Sequence, residues 1–215
     1  MIANRKSFFH CARLAAVVAA ITPLGMPAQA DVLVSNIGVP VRDVTKVSER
    51  EWASQSFTTD ANAYKLLSID LLLGALTGSP DLFAELHADT AGSPGATLAS
   101  FSLGGIGTGA PALFTLPGSL LDLNASSAYW IVLGATGNGS FGWAYAQGNS
   151  QSGLGALGAY GYSADTGATW GSFGTDDPYN VRVNVAAVPE PQTAALLLLG
   201  LVGVFGRRHL QVLRK

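Results

Sequence analysis

The sequence predicts an all-β fold: a single jelly-roll-like β-sandwich over residues 31–187, flanked by an N-terminal signal helix and a C-terminal transmembrane helix. Three observations carry that expectation. Apolar residues in the middle of the chain recur at every second position, the period of a strand with one buried face. Gly, Pro, Asn and Asp clusters interrupt those runs at intervals of roughly 8–12 residues, the spacing of a sandwich. No interior segment carries the 3.6-residue apolar stripe of an amphipathic helix.

Residues 1–30 have the three parts of a secretory signal peptide. Arg5, Lys6 and Arg13 form a basic region without an acid, and Leu14–Ile21 is an apolar run without a polar face. Pro27-Ala28-Gln29-Ala30 then supplies small residues at Ala28 and Ala30, which places cleavage before Asp31. The chain's one Cys, Cys11, precedes the apolar run and leaves with it, so the mature domain uses no disulfide.

The strands follow in order. Val32–Ser35 and Ser54–Thr58 are short candidates. Leu67, Ile69, Leu71 and Leu73 make one apolar face, with Ser68 and Asp70 opposite. Leu82, Ala84, Leu86 and Ala88 alternate against Phe83, Glu85 and His87. Leu98–Leu103 and Leu113–Leu116 are further short runs. Tyr129-Trp130-Ile131-Val132-Leu133 is continuously apolar, as a strand buried on both faces requires. Phe141–Ala146 and the strict alternation Val181-Arg182-Val183-Asn184-Val185 complete the set.

Of 22 glycines in the middle region, 12 fall between Gly134 and Gly174. Seven aromatic residues are interleaved with them, which flexible linkers lack, so ordered hairpins are expected there. Within this stretch Ser163-Ala164-Asp165-Thr166-Gly167-Ala168-Thr169-Trp170 fits the Asp-box pattern S-x-D-x-G-x-x-W. Its Asp is suited to bond the backbone of a turn and its Gly to supply positive φ, which makes Asp165 a structural residue. Phe141, Trp143 and Tyr145 share one strand face. That stripe has two readings: the core side of a strand, which the short supply of other large aromatics favours, or a flat platform for sugar rings. Tyr160 and Tyr162 are the alternative exposed aromatics.

Ala186-Ala187-Val188 with Pro189-Glu190-Pro191 reads as a linker, and Thr193–Gly206 as a 14-residue apolar segment. As a helix the segment spans about 21 Å against a hydrocarbon core of about 30 Å, a short crossing that needs thinning or snorkelling. Arg207 and Arg208, then Arg214 and Lys215, place the C-terminus on the cytoplasmic side.

Composition narrows the chemistry. Charged residues are 12% of the chain, half the usual share, and hydrophobic residues 48%, which argues against disorder. Each end carries a net +3, while residues 31–187 hold five basic and 13 acidic side chains, a net −8. That balance leaves no basic footprint for nucleic acid. With His10 and His209 in the terminal segments, His87 is the domain's single imidazole, and no G-x-S-x-G elbow accompanies it. No catalytic residue, metal site or cofactor is therefore assigned. Asp89 and the Asp176-Asp177 pair sit in loops as oxygen ligands suited to Ca²⁺, without the spaced pattern of a dedicated calcium loop.

Two segments resemble known families. Pro189, Glu190 and Pro191, the small-residue-rich apolar run and Arg207-Arg208 together resemble a PEP-CTERM sorting signal. That resemblance implies processing near the motif by an exosortase, a membrane-embedded transpeptidase-like enzyme of Gram-negative bacteria that make extracellular polysaccharide. The tail after Arg208 is longer than the family's pattern. Ser56–Thr59, Tyr64–Leu71, His87–Gly95 and Ser127–Leu133 resemble the choice-of-anchor R domain, an exported module found with varied C-terminal anchors. The expectation is a non-enzymatic, exported envelope or matrix protein. Its precursor is held at the inner membrane with a periplasmic ectodomain, and exopolysaccharide is its neighbour. The alternative is a carbohydrate-binding module, for which Phe141, Trp143 and Tyr145 are the first candidates.

Overall fold

The computed structural model describes residues 29–188. The signal segment before Gln29, the Pro-Glu-Pro motif and the apolar tail, with the helices expected in them, lie outside the described residues. Twelve strands make up the described chain: β1 (Ala30–Ser35), β2 (Val41–Ser48), β3 (Trp52–Thr58), β4 (Tyr64–Gly78), β5 (Asp81–Thr90), β6 (Ser93–Leu103), β7 (Ala112–Leu123), β8 (Ala128–Thr136), β9 (Gly139–Ala146), β10 (Ala156–Ser163), β11 (Gly171–Ser172) and β12 (Val181–Ala187). No helix occurs among the described residues.

Two six-stranded antiparallel sheets face each other across one apolar core. In the first, the 15-residue β4 is the spine: β12 lines one flank of its first half, β9 its second half, and β7 the other flank. β1 closes the sheet beyond β12, and β2 beyond β9. The second sheet runs β11-β10-β3-β8-β5-β6. Alternation puts Val181, Val183 and Val185 of β12 wholly inside, while Arg182 and Asn184 face outward. β8 is central, between β3 and β5, and its residues Tyr129–Leu133 are all buried. Ile131 and Leu133 join the core, whereas the Trp130 indole N–H donates to Asp89 at 2.7 Å on the other face.

Period alone misplaces one face of β4. Register slips between Leu66 and Ser68 against β7, so a bulge reverses the alternation there. Tyr64 and Leu66 precede the bulge on the core side, Ile69, Leu71 and Leu73 follow it, and Leu67 is only partly buried. The outward Asp70 is nonetheless buried: Arg182 Nε lies 2.7 Å from it, Thr115 donates at 2.6 Å and Asn184 at 3.0 Å. Burial alone would raise this carboxyl, but those donors outweigh it and hold it below the usual range.

The proposed linker before Pro189 is shorter than its composition suggests. Ala186 and Ala187 belong to β12, and the Val188 N–H donates to the Ala63 carbonyl at 3.2 Å. Ala30 pairs with Ala186 and Asp31 with Val185. The chain therefore enters and leaves the sandwich at one end.

Candidate functional site

Between the β2–β9 side of one sheet and β10 of the other lies a pocket of about 290 Å³ lined by Arg42, Thr45, Tyr145, Tyr160, Asp177 and Tyr179. Its base is fixed by the stretch that leads into β12. Residues 178–180 pair with β9: the Ala146 N–H donates to the Pro178 carbonyl at 2.9 Å and the Asn180 N–H to the Ala144 carbonyl at 2.8 Å. Fully buried Gln55, on β3, accepts from the Tyr179 N–H at 2.9 Å and donates to the Gly158 carbonyl at 3.0 Å. Asn36 donates to the Tyr179 carbonyl at 3.0 Å and accepts from the Val181 N–H at 2.7 Å. Gln55 thus ties the two sheets together beneath the pocket while Asn36 pins the entry to β12 beside β1, each bond stronger for its dry surroundings.

The rings follow from that frame. Tyr179 stacks on Trp143 with centroids 4.4 Å apart and meets Tyr160 edge-on at 5.8 Å. Tyr160 in turn stacks on the half-exposed Phe173 at 5.3 Å. Burial pushes the Tyr179 phenol up to about 12, against a smaller opposing hydrogen bond from Thr45, so it stays protonated at physiological pH. At the mouth the Arg42 guanidinium pairs with Asp177, whose second oxygen accepts from the Gly148 N–H at 3.2 Å.

The aromatic stripe divides. Phe141 and Trp143 are 1% and 0% exposed and belong to the core, so they offer no face to a sugar; the platform reading fails for both because no ligand reaches them. Tyr145, the third member, is partly exposed where the strand reaches the rim. The alternative Tyr160 joins it across the pocket, while Tyr162 lies elsewhere and donates to Glu51 at 3.0 Å. That second aromatic borders a charged cleft of about 810 Å³ in which Glu51 also binds Lys46 and Ser48 at 2.9 Å. Hydrogen bonds led by Lys46 lower Glu51 below its ordinary value. Nothing in the sequence singles out Tyr179, Arg42 or Thr45, and Asp177 stands out there only as a candidate Ca²⁺ ligand. They come as two pairs, from β2 and from the stretch before β12, and no local spacing announces that the pairs meet.

The other candidates hold structural positions. The His87 Nδ1–H donates to the Gly95 carbonyl at 2.8 Å, and Nε2 stands 2.8 Å from Glu85. No serine bonds either ring nitrogen among the described residues. Asp89 accepts from Trp130 and, at 3.2 Å, from the Gly92 N–H in the β5–β6 turn. Asp177 is taken up by Arg42 and Gly148, and no cluster of three metal-ligating side chains occurs among the described residues. In the Asp-box, Asp165 accepts from the Thr169 N–H at 2.9 Å and from the Thr169 hydroxyl at 2.6 Å. Gly167 there takes φ +80°, and a Cβ on it would stand 2.6 Å from the Trp52 ring.

Of the cleavage residues, Ala30 and Asp31 open β1, and Ala28 lies outside the described residues, as do Pro189, Glu190, Pro191, Arg207 and Arg208. The family model described as the PEP-CTERM protein-sorting motif matches residues 187–209, which contain all five of those sorting residues. The chain carries a PEP-CTERM sorting motif. The motif implies an exported protein, sorted to the cell surface through an exosortase. No curated protein matches the chain.

Proposed function

We propose that this protein is a non-enzymatic envelope or matrix component. An exosortase handles its PEP-CTERM tail, and its sandwich works among exopolysaccharide. The single observation that carries the reading is the motif at 187–209, which starts at the last residue of β12. A folded body is thereby presented to the membrane by one end, and the signal segment before Ala30 joins it at that same end. The strand orders β1-β12-β4-β7 and β3-β8-β5-β6, with β2, β9, β10 and β11 added outside them, support a jelly-roll reading. The resemblance to the choice-of-anchor R domain belongs with this reading, since such a module supplies a surface body to whichever anchor follows it. Replacing Pro189, Glu190 and Pro191 by alanine tests it. The expected result is uncut protein retained in the inner-membrane fraction; a surface yield equal to the parent would refute it.

A second reading, a carbohydrate-binding module, is favoured by the pocket that brings Tyr145, Tyr160 and Tyr179 together beside an arginine–aspartate pair. Pull-down on the host's own exopolysaccharide should retain the protein, and its passage through unretained counts against the module.

A further inference from the structure

We propose that the pocket between β2, β9 and β10 seats one neutral pyranose ring. Tyr145 and Tyr160 form its walls, Tyr179 its floor, and Arg42 with Asp177 the hydroxyl-binding edge. This deepens the carbohydrate-binding reading above and rests on it.

Ring count sets the class of ligand. A pyranose presents a flat patch of C–H bonds on each face and hydroxyl groups around its edge. It therefore needs aromatic surface and a few fixed donors and acceptors together, the usual make-up of a ligand site. Three tyrosines from three different segments converge here, and the floor is immobilised from below by Trp143, Gln55 and Asn36. A site already held in place loses little freedom on binding. Tyr179 is itself buried and stacked on Trp143, so it serves as the fixed base of the pocket while Tyr145 and Tyr160 supply the accessible rings.

Charge and size narrow the class further. Arg42 and Asp177 neutralise each other at the mouth, and the remaining lining groups are hydroxyls and rings. The domain around them carries a net −8, which opposes a uronate or sulfated sugar. A volume of about 290 Å³ is at the small end of ligand sites, room for one ring rather than a run of several. The pocket thus suits a chain end or a side branch of a polymer. Paired as they are, Arg42 and Asp177 still leave guanidinium N–H groups and carboxylate lone pairs for vicinal hydroxyls.

Titration of the full chain in lipid nanodiscs with glucose, galactose, N-acetylglucosamine and glucuronic acid tests the proposal. Heat is one readout; tryptophan emission is another, because Trp143 lies against the pocket floor. The expected result is saturable millimolar binding of a neutral sugar, weakened at least tenfold in Arg42→Ala and in Tyr145→Ala. Tyr160→Phe should keep a larger share of the affinity than Tyr160→Ala, because the ring remains. Circular dichroism melts that match the parent establish that each variant is folded. Unchanged neutral-sugar binding in folded Arg42→Ala and Tyr145→Ala overturns the pocket assignment and leaves the module reading standing. Preference for glucuronic acid overturns the neutral class. Absence of saturable binding by any of the four, with the host polymer also unretained, overturns pocket and module together. The sorting reading is tested separately by the alanine-substituted motif.

Discussion

At the scale of single residues, the most consequential side chain outside the core is Asp70. It is 3% exposed, yet three donors and the Arg182 charge converge on it, so it folds as a carboxylate. Its folded value lies below the unfolded one. Its contribution is therefore complete above roughly pH 4, where the unfolded aspartate ionises, and fades as the pH falls through the folded value. Urea titrations at pH 7 and pH 3 should show Asp70→Asn costing about 2 kcal/mol at pH 7 and less at pH 3. An equal cost at both would mean the ion pair contributes nothing. Trp143 poses the complementary case. Its indole N–H donates to the Asn180 carbonyl at 3.2 Å while its ring supports Tyr179. Trp143→Ala should lower stability by about 3–5 kcal/mol, read as a reduced urea midpoint, because a large buried ring leaves a cavity.

At the scale of elements, alternation located strands well where one face is dry throughout. The three valines of β12 and the unbroken apolar run of β8 are of that kind, since burial there depends only on parity. β4 shows where parity stops sufficing. A bulge is a property of the pairing between two strands, so nothing in Leu66-Leu67-Ser68 alone reveals which leucine faces inward. Leu66→Ala should cost about 2–5 kcal/mol and Leu67→Ala under about 1.5 kcal/mol in parallel denaturation curves. The reverse order would put the slip elsewhere. β2 escaped notice for a different reason. Its residues Val41–Lys46 are largely exposed or half-buried, and Val47 is its one fully buried residue, so no apolar rhythm marks it. The Asp-box was legible because its bonds are local. Gly167→Ala, which meets both the strained φ and the Trp52 ring, should destabilise the β10–β11 turn by about 1–3 kcal/mol. Thermal melts would show this, and an unchanged midpoint would mean the turn relaxes freely.

At the scale of the whole molecule, destination was readable and the tyrosine-lined pocket was not. Sorting information lies in contiguous residues, Pro189-Glu190-Pro191 and Arg207-Arg208, whereas the tyrosine pocket is assembled from strands 100 or more positions apart, as with Arg42 and Tyr160. The two are linked through β12. That strand sits between β1 and β4 with its valines in the core, and its last residues run straight into the sorting motif. A chain ending at residue 180 should fail to give a cooperative melt, while one ending at residue 188 should retain it. Cooperative unfolding of both would show that β12 is dispensable to the sandwich.

The central claim is that an exosortase processes the tail of an exported sandwich. Mass spectrometry of the protein's C-terminus, from cells with and without the host exosortase, tests it most directly. The account predicts a surface form ending near Pro189-Glu190-Pro191 in the parent and an uncut, membrane-held chain reaching Lys215 in the deletion strain. The same full-length chain in both strains would contradict it.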